Sequence, residues 1–157
     1  MSETIVGIDP GLKGGIAILY RDDLAVHPMP LIDSNWTWLR EICRAYEPSA
    51  FIEKVHSMPK QGVASTFKFG MGYGFLRGLL AGWSVPVNLV TPQAWQKTIL
   101  AGENKDDKKA ASVAVAQRMF PGVDFRASDR CRKPSDGMAE SALIALYGRK
   151  FLTGMRT

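Results

Sequence analysis

The segment Thr4-Ile5-Val6-Gly7-Ile8-Asp9-Pro10-Gly11 constrains this chain more than any other. An apolar, β-branched run carries one carboxylate at its end and then breaks at Pro-Gly, the pattern of a buried strand that presents a single charge before a tight turn. A buried, unpaired carboxylate is costly, so Asp9 has to cap the turn, pair with a base or bind a metal. Taken alone, the segment leaves turn cap and catalytic acid equally open.

A length of 157 residues is enough for one domain, spanning 1–157, whose core needs no disulfide staples. Hydrophobic residues at 46% and charged residues at 22% place it among folded globular proteins, so disorder is not the main story. Lys and Arg number 20 against 15 Asp and Glu, and the formal charge of +5 suits a polyanionic partner such as nucleic acid. Cys43 and Cys131 fit neither a disulfide framework nor a metal cluster. With no signal peptide and no apolar run of membrane-spanning length, the expectation is a reducing, cytoplasmic setting and no membrane partner.

Gly15 to Tyr20 and Leu24 to His27 read as the second and third strands of an antiparallel meander, joined across Arg21-Asp22-Asp23. Ser34-Asn35 is a candidate cap for a helix running to about Tyr46, with Pro48 just beyond it. Ala50 to Val55 returns to strand character and again carries an acid, Glu53, behind an apolar run. A loop from His56 to Gly62 leads into a helix from Val63 to Gly82. Phe67, Met71, Phe75 and Leu79 recur along it at helical spacing, beside a stripe of Gly70, Gly74, Gly78 and Gly82. Each interior Gly weakens a helix by about 1 kcal/mol relative to Ala, so the stripe implies close approach of another backbone, either within the chain or across a dimer interface.

Val85 to Val90 reads as a fifth strand, Pro86 favouring its beginning or a sheet edge. Thr91-Pro92 caps and starts a short helix through Leu100. Polar residues 102–109 open onto a helix from Ala110 to Phe120, stopped by Pro121-Gly122. An irregular basic stretch with Arg126, Arg130, Arg132 and Lys133 precedes a closing helix from Ser135 to Tyr147. Asp136 and Glu140 stand four apart in that helix and share a face. On their own they read as an N-terminal cap and a solvated acid. The other acids change that balance, because Asp9, Glu53, Asp136 and Glu140 lie on three separate apolar elements. If they converge in the core, they require a cation. An all-oxygen donor set without His or Cys points to Mg2+, with Mn2+ as substitute, rather than Zn2+. Two ions about 4 Å apart can activate a water and stabilise the leaving oxygen of a phosphodiester.

Four blocks in order, GIDPGLKGG at 7–15, FIEKVHSMPKQGVASTFKFGMGYGFLRG at 51–78, TPQAWQK at 91–97 and SDGMAESALIALYG at 135–148, resemble the RuvC-type Holliday junction resolvases, especially phage-encoded ones. The resemblance runs from about residue 4 to 150. It implies an α/β, RNase H-like fold with a five-stranded mixed β-sheet flanked by helices. It further implies a homodimer in a bacterium or phage-infected cell that binds four-way DNA junctions and makes paired nicks. Divalent metal, two ions per site, would be held by Asp9, Glu53, Asp136 and Glu140; family members more often space the last two acids three apart. The junction-facing loop after the Glu strand corresponds here to His56, with Lys60 and Gln61 close behind. Lys97, Lys105, Lys108, Lys109 and Lys133 are then candidate DNA contacts, and Gly70, Gly74 and Gly78 a candidate dimer interface.

Three other functions remain in view. Another RNase H-like metal nuclease, acting on flaps, forks or RNA-DNA hybrids, would use the same acids. An actin-like ATPase would need two related halves, for which a chain without an internal repeat has little room. A catalytically silent junction-binding protein sits poorly with four retained acids.

Overall fold

The computed structural model describes residues 3–56 and 59–154; Ser57 and Met58, inside the loop expected from His56 to Gly62, lie outside the described residues. Strands β1 (Thr4–Asp9), β2 (Gly15–Tyr20) and β3 (Asp23–Pro28) form the meander, followed by helix α1 (Thr37–Tyr46) and strand β4 (Ser49–Glu53). Then come α2 (Val63–Gly82), β5 (Val87–Val90), α3 (Pro92–Ile99), α4 (Lys108–Met119) and α5 (Asp136–Gly154). The strand order is β3-β2-β1-β4-β5, so β1 is central. It pairs antiparallel with β2 and parallel with β4, and β4 pairs parallel with β5.

Strand parity divides the core in two. Ile5, Leu19, Phe51 and Val90 face the layer built by α3, α4 and α5. Val6, Ile8, Ile16, Ala50 and Ile52 face α1 and α2, where Trp36, Leu39, Leu76 and Leu80 cover them. Side chains alternate along a strand, so Asp9 shares the face of Ile5, and Glu53 that of Phe51. Both acids therefore point to the α5 side.

The α5 helix is buried nearly all round, from Met138 through Leu146, because it lies between the sheet and α3 and α4. Its approach to β1 depends on Gly7. A Cβ there would run into the Ser141 carbonyl and the Ala145 backbone nitrogen of α5. Gly137, at the start of α5, is equally tight against the backbone of Lys13 and Gly14.

Several helix starts differ from expectation. Asn35 does accept the Thr37 N–H at 2.9 Å, but Trp36 occupies the cap position and α1 begins at Thr37. The Asp107 side chain accepts the Ala110 N–H at 3.0 Å, so α4 starts at Lys108, two residues before the expected Ala110. The closing helix is capped by the Ser135 hydroxyl, which accepts the Met138 N–H at 3.3 Å. Asp136 is thereby released from the capping role that its position suggested. Thr91 and Pro92 behave as expected, the threonine hydroxyl accepting the Ala94 N–H at 3.3 Å.

Candidate active site

The last β1–β4 pair is Ile8 opposite Ile52, so the next residues along each strand, Asp9 and Glu53, emerge side by side at the carboxyl end of the sheet. The first two turns of α5 run over the same place and bring Asp136 and Glu140. Glu140 links the four acids, feeling the charges of Asp9, Glu53 and Asp136. Burial first and those charges second push its carboxyl up to about 8. Asp9 is also raised, by burial, against the opposing effect of the Gly11 N–H that it accepts at 3.2 Å. A side-chain hydrogen bond links Glu140 and Asp9, and it adds to the rise of Glu140 while opposing that of Asp9.

Two further side chains hold the cluster. Trp95, fully buried, donates its indole N–H to Glu53 Oε2 at 2.6 Å and pulls against the burial that raises this carboxyl. Lys109 Nζ lies 2.9 Å from Asp136 Oδ2 and keeps that acid below its ordinary value. Sequence reasoning did not single out Trp95. Its signal was the Thr91-Pro92 start, which sets the helical phase that turns the indole toward β4.

As the side chains stand, no three of the described His, Cys, Asp and Glu residues converge closely enough to hold a metal ion. Trp95, the Asp9–Glu140 hydrogen bond and Lys109 hold the acids instead. The donor set nonetheless fits a hard divalent cation. It consists of carboxylate oxygens only, and Asp9, Glu53 and Glu140 are raised first by burial and then by neighbouring carboxylates, both of which a bound cation would offset.

His56 is exposed and, with Gln61, Phe69 and Pro92, lines a cleft of about 500 Å³ that includes Glu53. Phe69 is an aromatic wall that the sequence reading passed over. Lys60 is exposed nearby, in a left-handed backbone conformation with φ 65°. Lys97, Lys105 and Lys108 gather around a second cleft of about 470 Å³ with Gln93 and Gln96. Lys109 sits instead among the acids, and Lys133 is exposed in the loop before α5.

The glycine stripe of α2 is exposed, and Gly74 and Gly78 border an open groove with Val87 and Leu89 of β5. A Cβ at Gly70, Gly74, Gly78 or Gly82 would meet nothing within 4 Å, so these glycines serve no close packing inside the chain. Val63, Phe67 and Met71 of the same helix are exposed apolar side chains.

No protein-family model matches the chain, and no curated protein matches it in sequence. Solved structures do match. The structure of Thermus thermophilus RuvC superposes with a TM-score of 0.57 at 18% identity, over 94% of this chain and 96% of that one. T. thermophilus RuvC in complex with Holliday junction substrate gives 0.57 at 16% identity with the same coverage. The yeast mitochondrial Holliday junction resolvase Ydc2 gives 0.55 at 16% identity, over 98% of this chain and 85% of that one. At these identities the likeness is one of fold. The five-stranded mixed sheet flanked by helices is the RNase H-like fold of RuvC, as the sequence resemblance implied.

Proposed function

We propose that this chain is a RuvC-type Holliday junction resolvase, a divalent-metal-dependent endonuclease that nicks branched DNA as a homodimer. The observation that carries the reading is the meeting of Asp9, Glu53, Asp136 and Glu140 at one end of the sheet, in a fold that matches junction resolvases along nearly the whole chain. Asp9, at the end of the central strand, would be the shared ligand, with Glu53 and Glu140 to either side and Asp136 at the open edge. When bound, Mg2+ or Mn2+ would activate a water and offset charge on the leaving oxygen of the phosphodiester. Trp95 holds Glu53 through its Oε2, leaving Oε1 outside that bond.

Around this centre, Lys97, Lys105 and Lys108 would hold backbone phosphates of one arm, and Lys60 and Lys133 would add exposed positive charge. His56 and Phe69 offer ring faces beside Glu53 on which a base near the branch point could stack. The α2 face, with Gly70, Gly74 and Gly78 open and Phe67 and Met71 exposed, is the surface for a second copy, which would supply the second nick.

Cleavage of a mobile four-way junction, compared with fork, flap and RNA-DNA hybrid substrates in Mg2+ and in EDTA, tests the reading. The expected result is Mg2+-dependent paired nicking of the junction above all other substrates. Equal or better cutting of the others would assign the site to a different RNase H-like nuclease.

A further inference from the structure

Lys109 stands apart from the other basic residues. The Asp107 cap starts α4 at Lys108, and successive helical residues diverge by about 100°, so neighbouring lysines take different directions. Lys108 lines the cleft with Lys97 and Lys105, whereas Lys109 reaches across to α5 and places its ammonium 2.9 Å from Asp136 Oδ2. Its side chain is 77% exposed and that of Asp136 37%, so the pair closes the open edge of the site and can part without disturbing the core. An ammonium and a hard divalent ion seek the same carboxylate oxygens, and they repel each other at such range.

Resting on the metal-nuclease reading, we propose that Lys109 is a tethered counter-cation: in the DNA-free protein it occupies the cation position on Asp136, and a divalent ion must displace it to gain that carboxylate. Asp136 is thus the last of the four acids to become available. The released ammonium then faces the side from which DNA approaches. Lys109 acts on the site through Asp136, as a positioning residue.

The proposal is tested by titrating the DNA-free, full-length protein with Mn2+ at fixed pH and ionic strength, following free Mn2+ by electron paramagnetic resonance. Wild type is compared with Lys109→Met, Lys109→Arg, Asp9→Asn and Lys150→Met, the last as a control for net charge on an exposed residue outside the site. Loss of an exposed ion pair predicts roughly 1.5- to fivefold tighter Mn2+ binding in Lys109→Met. Lys109→Arg and Lys150→Met should stay at the wild-type value, and Asp9→Asn should lose binding. Unchanged or weaker binding in Lys109→Met, or equal tightening in Lys150→Met, overturns the role of Lys109 and leaves the metal site standing provided Asp9→Asn still loses binding. Absence of Mn2+ binding in wild type and Lys109→Met alike overturns both readings. Melting curves confirm that each variant is folded.

Discussion

Asp9 caps a turn and also takes part in the acid cluster. Its Oδ1 accepts the Gly11 N–H and so caps the Pro10-Gly11 turn, while the same carboxylate meets Glu140 over the sheet. The turn holds the side chain at the position where the cluster needs it. Asp9→Asn keeps the shape and the cap acceptor but removes the charge. It should retain junction binding and lose Mg2+-dependent cleavage by several orders of magnitude, which gel-shift and nicking assays on one preparation can show. Full activity would remove Asp9 from the site. Glu140 gives a pH test with a definite sign. Its carboxyl stands at about 8 in the folded chain against 4.5 ordinarily, so between those values the folded state holds a proton that the unfolded state has released. That stabilisation is complete below pH 4.5 and lost as pH rises through about 8, with a slope of at most ~1.4 kcal/mol per pH unit for one proton. Thermal melts in EDTA should therefore fall between pH 5 and 8, and Glu140→Gln should flatten the decline. A profile in Glu140→Gln as steep as wild type would refute this origin. All four acids were legible as lone carboxylates on apolar elements. The Trp95 and Lys109 contacts were not, since each joins residues far apart in the chain; the Thr91-Pro92 start sets the helical phase of Trp95 but does not name Glu53 as its partner.

Among the elements, α5 and α2 use glycine in opposite ways. At Gly7 the missing side chain lets α5 settle on β1, and Gly7→Ala should destabilise the protein by about 1–3 kcal/mol, as overpacking of a tight core does. The displaced helix carries Asp136 and Glu140, so cleavage should fall along with the melting temperature. On α2 the space beyond Gly74 and Gly78 is open, and Gly→Ala there should leave the protomer as stable, or gain up to about 1 kcal/mol from helix propensity. A bulky Gly74→Leu should spare the melting curve of the isolated fold and lower the mass measured by light scattering; an unchanged dimer mass would exclude this face as the interface. The stripe was visible in the sequence, but its orientation was not, because the period places glycines on one side of a helix without saying which side meets the sheet. Element ends followed the same logic. Thr91-Pro92 was unambiguous, whereas Asp136 read as the cap of the closing helix and the Ser135 hydroxyl took the position instead.

For the whole molecule, the excess of Lys and Arg acts as a field and the clefts give it direction. Replacing Lys97, Lys105 and Lys108 together with Gln should weaken junction binding and reduce the salt dependence of log K by about 1 per lysine lost. Binding curves at several salt concentrations would show it, and an unchanged slope would place the phosphate contacts elsewhere. The RNase H-like architecture was implied by the resemblance of four ordered motifs to a known family, with which strand alternation and turn residues agreed; its two-layer partition awaited the register that sends Ile5, Asp9 and Glu53 toward α5. That register also dictates a timetable for synthesis. On a ribosome the whole sheet is made before α5, so Asp9 and Glu53 wait without Asp136 and Glu140, and the apolar face of Ile5, Leu19 and Phe51 waits without its cover. A nascent chain therefore holds only half of the acid cluster and exposes an aggregation-prone apolar face until translation delivers its final helix.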